Sequence, residues 1–385
     1  MHYSDISCSI RGAVPNTPAS PENIVAHNMP TVPPIAGVST SVTGFIGFSP
    51  AGPVQTAVPI NSFAQYQAQF GGLAAGSEMG FAVNQFFENG GSNCSIVRVG
   101  ASGPLDLAEA RTALAALDAV GNLNLLCLPG VSDAAILAAA RTYCEKRRTF
   151  LIIDADPNAT TAAALTNLMN GPALPRSISA AVYAPWLEIP NPLTNSGTLS
   201  IPPSGTVAGI YAATDANSGV WKAPAGLHAA LQGVSGLAVS VTDAEGAALG
   251  ELGMNLIRRF PAAGMVVWGA RTLGPLAGGA GGGYQYVPVR RLALYIEASI
   301  IAGTRWAVFE PNGPALWAHV QSLVTAFLQQ LYLQGAFQGS TPAEAYFVKC
   351  DATTMTQAEI DQGILNIVVG FAALRPAEFV VLQIQ

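Results

Sequence analysis

The order of apolar and polar residues predicts regular structure from residue 41 onward. In the first half of the chain, short apolar runs alternate with stretches that repeat apolar residues at helical spacing. The pattern predicts strands at 42–48, 94–99, 123–128 and 150–154, and helices at 61–70, 77–89, 106–117 and 132–148. This alternation of strand and helix is typical of an α/β layer that contains parallel strands.

The second half of the chain mixes helices and strands less regularly. The pattern predicts strands at 264–270, 345–350, 364–374 and 378–384, and helices at 289–304 and 314–333. The proline-rich stretch 185–205 is predicted as an irregular surface excursion, and the glycine-rich stretch 276–283 as a loop. The predicted fold class is therefore α/β, in a mixed α+β form.

The two ends of the chain differ from the middle. Residues 1–40 are rich in proline and poor in aromatic residues, which predicts an extended arm or linker outside the core. Such an arm cannot pack a core of its own, but it can reach a neighbouring chain. At the other end, apolar and polar residues alternate in part through Glu378, Phe379, Val380, Val381, Leu382, Gln383 and Ile384. That segment can complete the sheet of another subunit or pair within its own subunit, and the pattern leaves both open.

The composition narrows the class of protein. The chain has 385 residues, half of them apolar, and 10% charged against roughly 25% in an ordinary soluble domain. These values exclude a disordered chain, and the net charge of −6 gives no support to a nucleic-acid-binding surface. A surface so poor in charge favours burial between subunits in an assembly. The alternative is an ordinary enzyme rich in alanine and glycine.

The cysteines and the chain start bear on the compartment. The chain has five cysteines: Cys8, Cys94, Cys127, Cys144 and Cys350. Their number is odd, they are widely spaced and they contain no Cys-x-x-Cys pair, which favours reduced thiols over disulfides or metal ligands. The first residues do not have the basic start and apolar run of a signal peptide. We therefore expect synthesis and folding in the cytoplasm.

Two aspartates are the main candidates for chemistry. Asp154 and Asp156 stand at the end of a predicted buried strand, a position where α/β enzymes often place catalytic groups and where Mg²⁺ can bind. Aspartate before Pro157 is also an ordinary start of a turn, and this structural interpretation is the favoured one. The glycine run 278–283 lacks the Gly-Lys-Ser/Thr ending of a phosphate-binding loop. We therefore predict no catalytic, metal or cofactor site.

Several segments, taken in order, resemble the contractile tail sheath family of phages and phage-tail-like injection particles. They cover most of the chain after residue 40, and the C-terminal ones are the most specific. The segments are 40–48, 52–53, 87–91, 96–99, 202–211, 219–226, 255–261, 267–273, 286–292, 295–300, 309–312, 345–351 and 376–380. The chain departs from the family at its start, since residues 1–36 lack the usual Pro-Gly-Val-Tyr opening.

The resemblance implies a structural role. Sheath subunits of this family form hexameric rings that stack helically around an inner tube protein, between a baseplate and a terminal cap. The extended sheath contracts and drives the tube through a target envelope, without nucleotide hydrolysis, a small-molecule substrate, a cofactor or direct contact with nucleic acid. By the same resemblance, an inner domain combines residues 1–40 with 252–385, and an outer α/β domain spans 41–251.

The resemblance also suggests contact residues. The N-terminal arm is expected to touch a neighbouring subunit through Ile10, Arg11 and Val14, and the segment 378–384 to exchange as a strand. Arg271, Arg290 and Arg291, together with the helix 314–333, are candidates to face the tube. The alternative for the arginines is pairing within the chain, with Glu297 or Glu310.

Three hypotheses therefore compete. The first is a force-generating sheath subunit, the second an oligomeric α/β enzyme with a metal at Asp154 and Asp156, and the third a static shell protein. Polymers in two states of different diameter would favour the first, and polymers in one state the third.

Overall fold

The computed structural model describes residues 4–11, 32–194, 196–274 and 283–377. Its contacts divide the chain into two compact units. The first, here called the terminal unit, comprises Met1–Val38 and Ala293–Leu374. The second, called the α/β unit, comprises Ser39–Leu292 and Arg375–Gln385. The start of the chain and residues 293–374 therefore belong to the same unit.

Strands and helices follow one another along the described residues. The strands are β1 (Ser4–Arg11), β2 (Thr43–Phe48), β3 (Ala57–Ile60), β4 (Cys94–Gly100), β5 (Leu125–Cys127), β6 (Phe150–Asp154), β7 (Ala180–Ala184), β8 (Leu187–Pro190), β9 (Thr198–Ile201), β10 (Gly236–Leu237), β11 (Met254–Phe260), β12 (Gly264–Trp268), β13 (Tyr346–Lys349) and β14 (Ile364–Phe371). The helices are α1 (Phe63–Phe70), α2 (Glu78–Glu88), α3 (Leu107–Ala116), α4 (Ala134–Arg147), α5 (Ala162–Asn170), α6 (Ser204–Ser218), α7 (Asp243–Glu251), α8 (Val287–Gly303), α9 (Pro314–Leu333), α10 (Pro342–Ala345) and α11 (Gln357–Asp361).

The predicted elements that fall on described residues are confirmed, with ends that differ by a few residues. Helix α4 is capped by Asp133, whose carboxylate accepts hydrogen bonds from the Ala135 and Ile136 amides, each at 2.9 Å. The predicted strand 378–384 and most of the predicted glycine loop lie outside the described residues.

The α/β unit is built on one large sheet, here called the main sheet. Its described strands run in the order β12-β11-β7-β6-β5-β2-β4-β3. The pairs from β11 through to β4 are parallel, while β12 and β3 pair antiparallel at the two edges. The parallel strands are joined through helices, as parallel pairs require. The predicted α/β layer is thus confirmed.

Both faces of the main sheet are covered, so its central strands are mostly apolar. On one face, Leu151 and Val182 of the sheet share a core with Leu114 of α3 and Leu137 of α4. On the other face, the strands contact the helices through aromatic rings. Phe150 lies 6.3 Å from Tyr211 of α6, and Phe45 lies 5.6 Å from Phe86 of α2, between ring centroids. A continuous apolar run is expected for strands buried on both sides.

Helices α2 and α6 pack closely because α6 carries glycine at the contact. A Cβ atom on Gly205 would lie 2.1 Å from the Ala82 carbonyl oxygen, and one on Gly209 would lie 2.6 Å from that of Phe86. Glycine therefore allows the two backbones to approach. The sequence analysis did not predict α6, since small residues give a weak helical pattern.

The stretch 185–205 is not irregular, so that prediction was wrong. Strands β8 and β9 form an antiparallel hairpin within it, with Leu187 opposite Ile201, and β10 pairs with β8. Leu187 and Ile189 are buried, Glu188 is half-buried and Pro190 is exposed. This alternation is that of a strand with one buried face, and the prolines at its ends obscured it.

The terminal unit contains a second sheet, here called the terminal sheet. Its described strands run in the order β1-β14-β13, and both pairs are antiparallel. The prediction that residues 1–40 contain no regular element was therefore wrong for 4–11. Ile6, Cys8 and Ile10 alternate with polar residues in the sequence, which is a strand pattern. The prolines from residue 15 onward led to the prediction of an extended arm for the whole stretch.

The division into units differs from the predicted domain boundary at 251/252. The two units meet in sequence at Leu292/Ala293, within α8, and at Val38/Ser39. Residues 252–292 belong to the α/β unit because β11 pairs with β7 of the main sheet. The assignment of inner and outer domains stays a prediction.

Two further observations concern the described residues only. Within these ranges, none of the helices combines the length and the apolar content that a membrane span requires. Cys94, Cys127, Cys144 and Cys350 are buried and unpaired.

Candidate functional site

The terminal sheet joins segments from opposite parts of the chain. Ser4 lies opposite Phe371 and Arg11 opposite Ile364, so eight consecutive residues of β1 pair with β14. On its other side, β14 pairs with β13, from Tyr346 opposite Phe371 to Lys349 opposite Val368. Among the described strands, β14 is therefore central, and β1 and β13 lie at the edges. An edge strand presents unpaired backbone groups to another chain.

The predicted arm residues fall partly on this sheet. Ile10 lies opposite Leu365, and Arg11 opposite Ile364. Val14 lies outside the described residues, as does the predicted exchange segment 378–384. The structure thus pairs the start of the chain with its own β14. Contact with a neighbouring subunit stays a prediction.

A buried ion pair surrounds Arg291. Its guanidinium donates to both carboxylate oxygens of Asp215, at 2.9 and 2.6 Å, and to the Thr40 carbonyl at 2.9 Å. The Arg291 and Asp215 side chains are only 3% and 5% exposed. The guanidinium also lies 4.6 Å from the ring centroid of Tyr211, and the hydroxyls of Tyr211 and Tyr183 are 2.6 Å apart. These contacts favour the alternative of pairing within the chain, although the partner is Asp215 and neither Glu297 nor Glu310.

The other two candidate arginines are anchored differently. The Nε atom of Arg290 donates to the Ser179 hydroxyl at 3.0 Å, and the guanidinium lies 5.4 Å from the ring centroid of Tyr284. Both backbone groups of Arg271 are held by the Asn255 side chain, at 2.7 and 2.8 Å. A role for Arg271, Arg290 or the helix 314–333 in facing a tube stays a prediction.

Asp154 acts as an anchor between three parts of the α/β unit. Its carboxylate is buried at the end of β6 and accepts hydrogen bonds from the Ser204 amide at 2.6 Å, the Ser204 hydroxyl at 2.8 Å and the Gly130 amide at 3.0 Å. Ser204 is the first residue of α6, so the carboxylate also faces a helix N-terminus. Burial raises the pKa of Asp154 to about 7, against the opposite effect of these donors.

Asp156 is bound separately from Asp154. One of its carboxylate oxygens accepts from the amide and the side chain of Asn158, at 2.8 and 3.0 Å, as in an ordinary Asx turn. Among the described residues, there is no cluster of three or more histidine, cysteine, aspartate or glutamate side chains that could hold a metal ion. The geometry supports the structural interpretation of both aspartates.

Two buried side-chain amides, Asn255 and Asn89, were not predicted from the sequence. Asn255 is fully buried, and besides Arg271 its side chain donates to the Val182 carbonyl at 3.1 Å, so it ties β7 to the segment after β12. Asn89 accepts from the Gln232 amide at 2.8 Å and donates to the carbonyl of Gln85 at 2.9 Å. A polar residue inside an apolar run, as at Asn255, was the available signal.

Comparisons with known proteins agree along most of the chain. Residues 106–273 match the family model described as the phage tail sheath protein central domain, and residues 282–385 match that of the phage tail sheath C-terminal domain. A tail sheath protein of Vibrio phage KVP40 is 29% identical over 164 residues, which is 42% of this chain and 23% of that protein. A putative prophage major tail sheath protein of Pseudomonas aeruginosa UCBPP-PA14 is 28% identical over 72% of this chain and 69% of that protein.

Solved structures match over nearly the full length. The helical sheath of the anti-feeding prophage in its contracted state is 32% identical, with a TM-score of 0.78 over 96% of this chain and 99% of that one. The sheath complex of the extracellular contractile injection system PVC, also contracted, is 29% identical, with the same TM-score over 96% and 98%. A chain in the baseplate structure of the anti-feeding prophage is 32% identical, with a TM-score of 0.76 over 96% and 99%.

Proposed function

The chain belongs to the phage tail sheath family and is a structural subunit of a contractile sheath, and from this premise we propose that it polymerises as stacked hexameric rings around an inner tube protein. The polymer shortens and widens when it is triggered, and it drives the tube through a target envelope. The energy is stored in the extended polymer, so the subunit needs neither a cofactor nor catalysis. Head-to-tail contacts that do not close give helical polymers of this kind.

One observation carries this proposal: the pairing of β1 with β14. The ladder joins the first residues of the chain to a strand that lies more than 350 residues later, and it uses backbone hydrogen bonds along one edge of β14. Any copy of the chain offers the same edge and the same strand. In the polymer, β1 of one subunit lies on β14 of the next, and the segment 378–384 adds a further exchanged strand. Exchange of an identical element is a low-cost route to assembly.

The register provides a direct test of the exchange. Cys8 lies opposite Ile367, so the substitution Ile367→Cys places two cysteines across the ladder. After assembly and mild oxidation, exchange gives a series of covalent oligomers on a denaturing gel. Pairing within the subunit gives a cross-linked monomer and contradicts the exchange. The matched control, Cys8→Ser with Ile367→Cys, should give neither product.

Electron microscopy tests the sheath function itself. We expect the purified chain, with a co-expressed tube partner, to form long striated cylinders, and to form wider empty cylinders without the partner. Cylinders of one diameter under every condition would favour a static shell. Small oligomers alone would favour the enzyme hypothesis, and so would a hydrolytic activity that is lost on replacing Asp154 and Asp156 by asparagine.

The wider context follows from the same premise. The sheath attaches to a baseplate at one end and to a cap at the other, and it is part of a phage tail or an extracellular contractile injection particle. We propose that it assembles in the bacterial cytoplasm, without direct contact with nucleic acid. The terminal unit corresponds to most of the predicted inner domain, which faces the tube. Deletion of residues 377–385 is expected to leave a monomer that cannot form long cylinders.

A further inference from the structure

Phe309 combines two unfavourable features at one position. It follows the 3₁₀ turn Arg305–Ala307 in the terminal unit, and its φ angle of 74° is left-handed. A bulky residue in this region costs about 1–3 kcal/mol. Its side chain is also 81% exposed, so the aromatic ring stands in water. The stability of a single subunit explains neither feature.

The loop around Phe309 is held in place from both sides. The Glu310 amide donates to the Ala307 carbonyl at 3.2 Å. The Asn312 side chain donates to the carbonyls of Ile360 and Ile364, at 3.4 and 3.1 Å, and accepts from the buried Trp317 indole at 2.8 Å. These bonds tie the loop to α9 and to the start of β14. The exposed ring is therefore presented in a defined position.

Two buried polar atoms without hydrogen-bond partners in the described part of the chain lie near this loop in the sequence. The Nε1 atom of Trp306 and the Nε2 atom of His319 are buried without a hydrogen-bond partner among the described residues. The two rings contact each other at 5.1 Å between centroids, nearly at right angles. Buried polar atoms without partners cost free energy. Strain, exposure and unpaired polar atoms thus all occur within ten residues of Phe309 along the chain.

The surroundings indicate the chemistry of the partner. Among residues 310–315, which follow Phe309, the exposed ones are Pro311, Pro314 and Ala315, and all three are apolar. This surface suits an apolar pocket better than a charged one. Aromatic side chains are frequent anchors of protein interfaces, where they fill a pocket at the centre of the contact.

We propose that Phe309 is an aromatic anchor that inserts into an apolar pocket on a second copy of this chain. The inference rests on the proposed polymerisation, since every subunit of a sheath then carries the same ring and meets the same surface of its neighbour. A projecting ring on one surface and a pocket elsewhere on the chain make a head-to-tail contact, as a helical polymer requires. The hydrogen-bonded loop presents the ring with little further loss of backbone freedom on binding.

The substitution Phe309→Asn tests this assignment. Asparagine tolerates the left-handed conformation and removes the ring. We expect the lowest concentration that forms cylinders to rise at least about tenfold, while the unfolding temperature of the unassembled subunit stays equal or rises. The matched control is Leu227→Asn, because Leu227 is 54% exposed in the α/β unit and does not have a left-handed backbone conformation. That variant should assemble like the unaltered chain.

The outcomes separate this inference from the proposed function. If the unaltered chain forms no cylinders, the polymerisation itself is wrong. If the unaltered chain and Phe309→Asn form cylinders at the same concentration, the anchor is wrong. A lower unfolding temperature in Phe309→Asn would show that the ring stabilises its own subunit, which overturns the inference. It is also overturned if Phe309→Asn forms empty cylinders normally but no longer encloses the tube, since the occupant is then the tube protein.

Discussion

The main sheet and the terminal sheet are built in opposite ways. In the main sheet, parallel strands such as β5 and β6 are joined by a helix between them, and both faces are covered by helices of the same unit. In the terminal sheet, β14 receives a strand from the start of the chain. The first arrangement is complete within a local stretch of sequence. The second depends on two distant segments that another copy can supply equally well.

The difference suggests a division of labour, in which the α/β unit determines the stability of the subunit and the terminal sheet determines assembly. Changes inside the α/β unit should act on the stability of each subunit, because buried polar groups such as Arg291, Asp154 and Asn255 have their partners within the unit. Changes to β1 should act on assembly.

Removal of residues 1–11 should abolish assembly, because β14 then has no β1 partner from any copy. Cylinders are expected to be absent at concentrations where the full chain forms them, as seen by electron microscopy. Hydrogen–deuterium exchange on the unassembled subunit should show faster exchange in β13 and β14 and unchanged protection in β5, β6 and β7. Loss of protection in the main sheet would contradict the division of labour.

The substitution Arg291→Met should destabilise the subunit by about 3–5 kcal/mol, because it leaves the Asp215 carboxylate buried without its cation. Denaturant unfolding measures this free energy. The double variant with Asp215→Leu should regain most of the loss. The matched control is Arg258→Met, which breaks an ion pair with Asp243. The Asp243 side chain is 95% exposed, so we expect a change of about 1 kcal/mol or less.

Asp154 should make the stability of the subunit depend on pH. Its pKa is about 7 in the folded chain and has the ordinary value of 3.8 in the unfolded chain, so the folded state retains a proton that the unfolded state loses. The stabilisation from this group is complete below about pH 4 and is lost as the pH rises through 7.

The substitution Asp154→Asn removes this titration, and unfolding temperatures across the pH range measure its effect. The unfolding temperature of the unaltered chain minus that of the variant should fall between pH 4 and pH 7. If the difference in unfolding temperature between the unaltered chain and Asp154→Asn does not change between pH 4 and pH 7, this carboxylate is ionised throughout that range.

The smallest effect is expected at Arg148, which ends α4 with a left-handed φ of 57°. Arg148→Gly should stabilise the subunit by at most about 1 kcal/mol, because relief of backbone strain is partly offset by the larger entropy of unfolded glycine. Thr142→Gly, on the exposed side of the same helix, should instead destabilise by about 0.3 kcal/mol, because threonine is only slightly better than glycine in a helix. Thermal unfolding distinguishes the two signs.

The sequence predicted the elements whose pattern is local. The helix 314–333 was predicted with its observed ends, because Pro314 starts it and apolar residues recur at helical spacing through it. The buried strand 150–154 was predicted for the same reason. Helix α6 was missed because Gly205 and Gly209 serve a packing contact that does not show in a pattern of apolar residues.

The candidate site was less predictable, because its contacts join distant residues. The pattern did not predict that Arg291 would pair with Asp215, or that Ser204 would bind Asp154, since each partner is more than 45 residues away. Phe309 was noted only as part of a resembling segment. Its exposure and its backbone conformation are properties of the folded loop, and the residue types in the segment do not predict them.

The ladder between β1 and β14 also has a mechanical consequence if it joins neighbouring copies. Its eight residue pairs lie side by side along the strand direction. Tension along the strands loads the backbone hydrogen bonds in shear, so they share the force and must fail together. A force that peels β1 away from one end breaks them one after another. A polymer joined in this way is strong in the first direction and weak in the second, so the direction of the applied load determines where it fails.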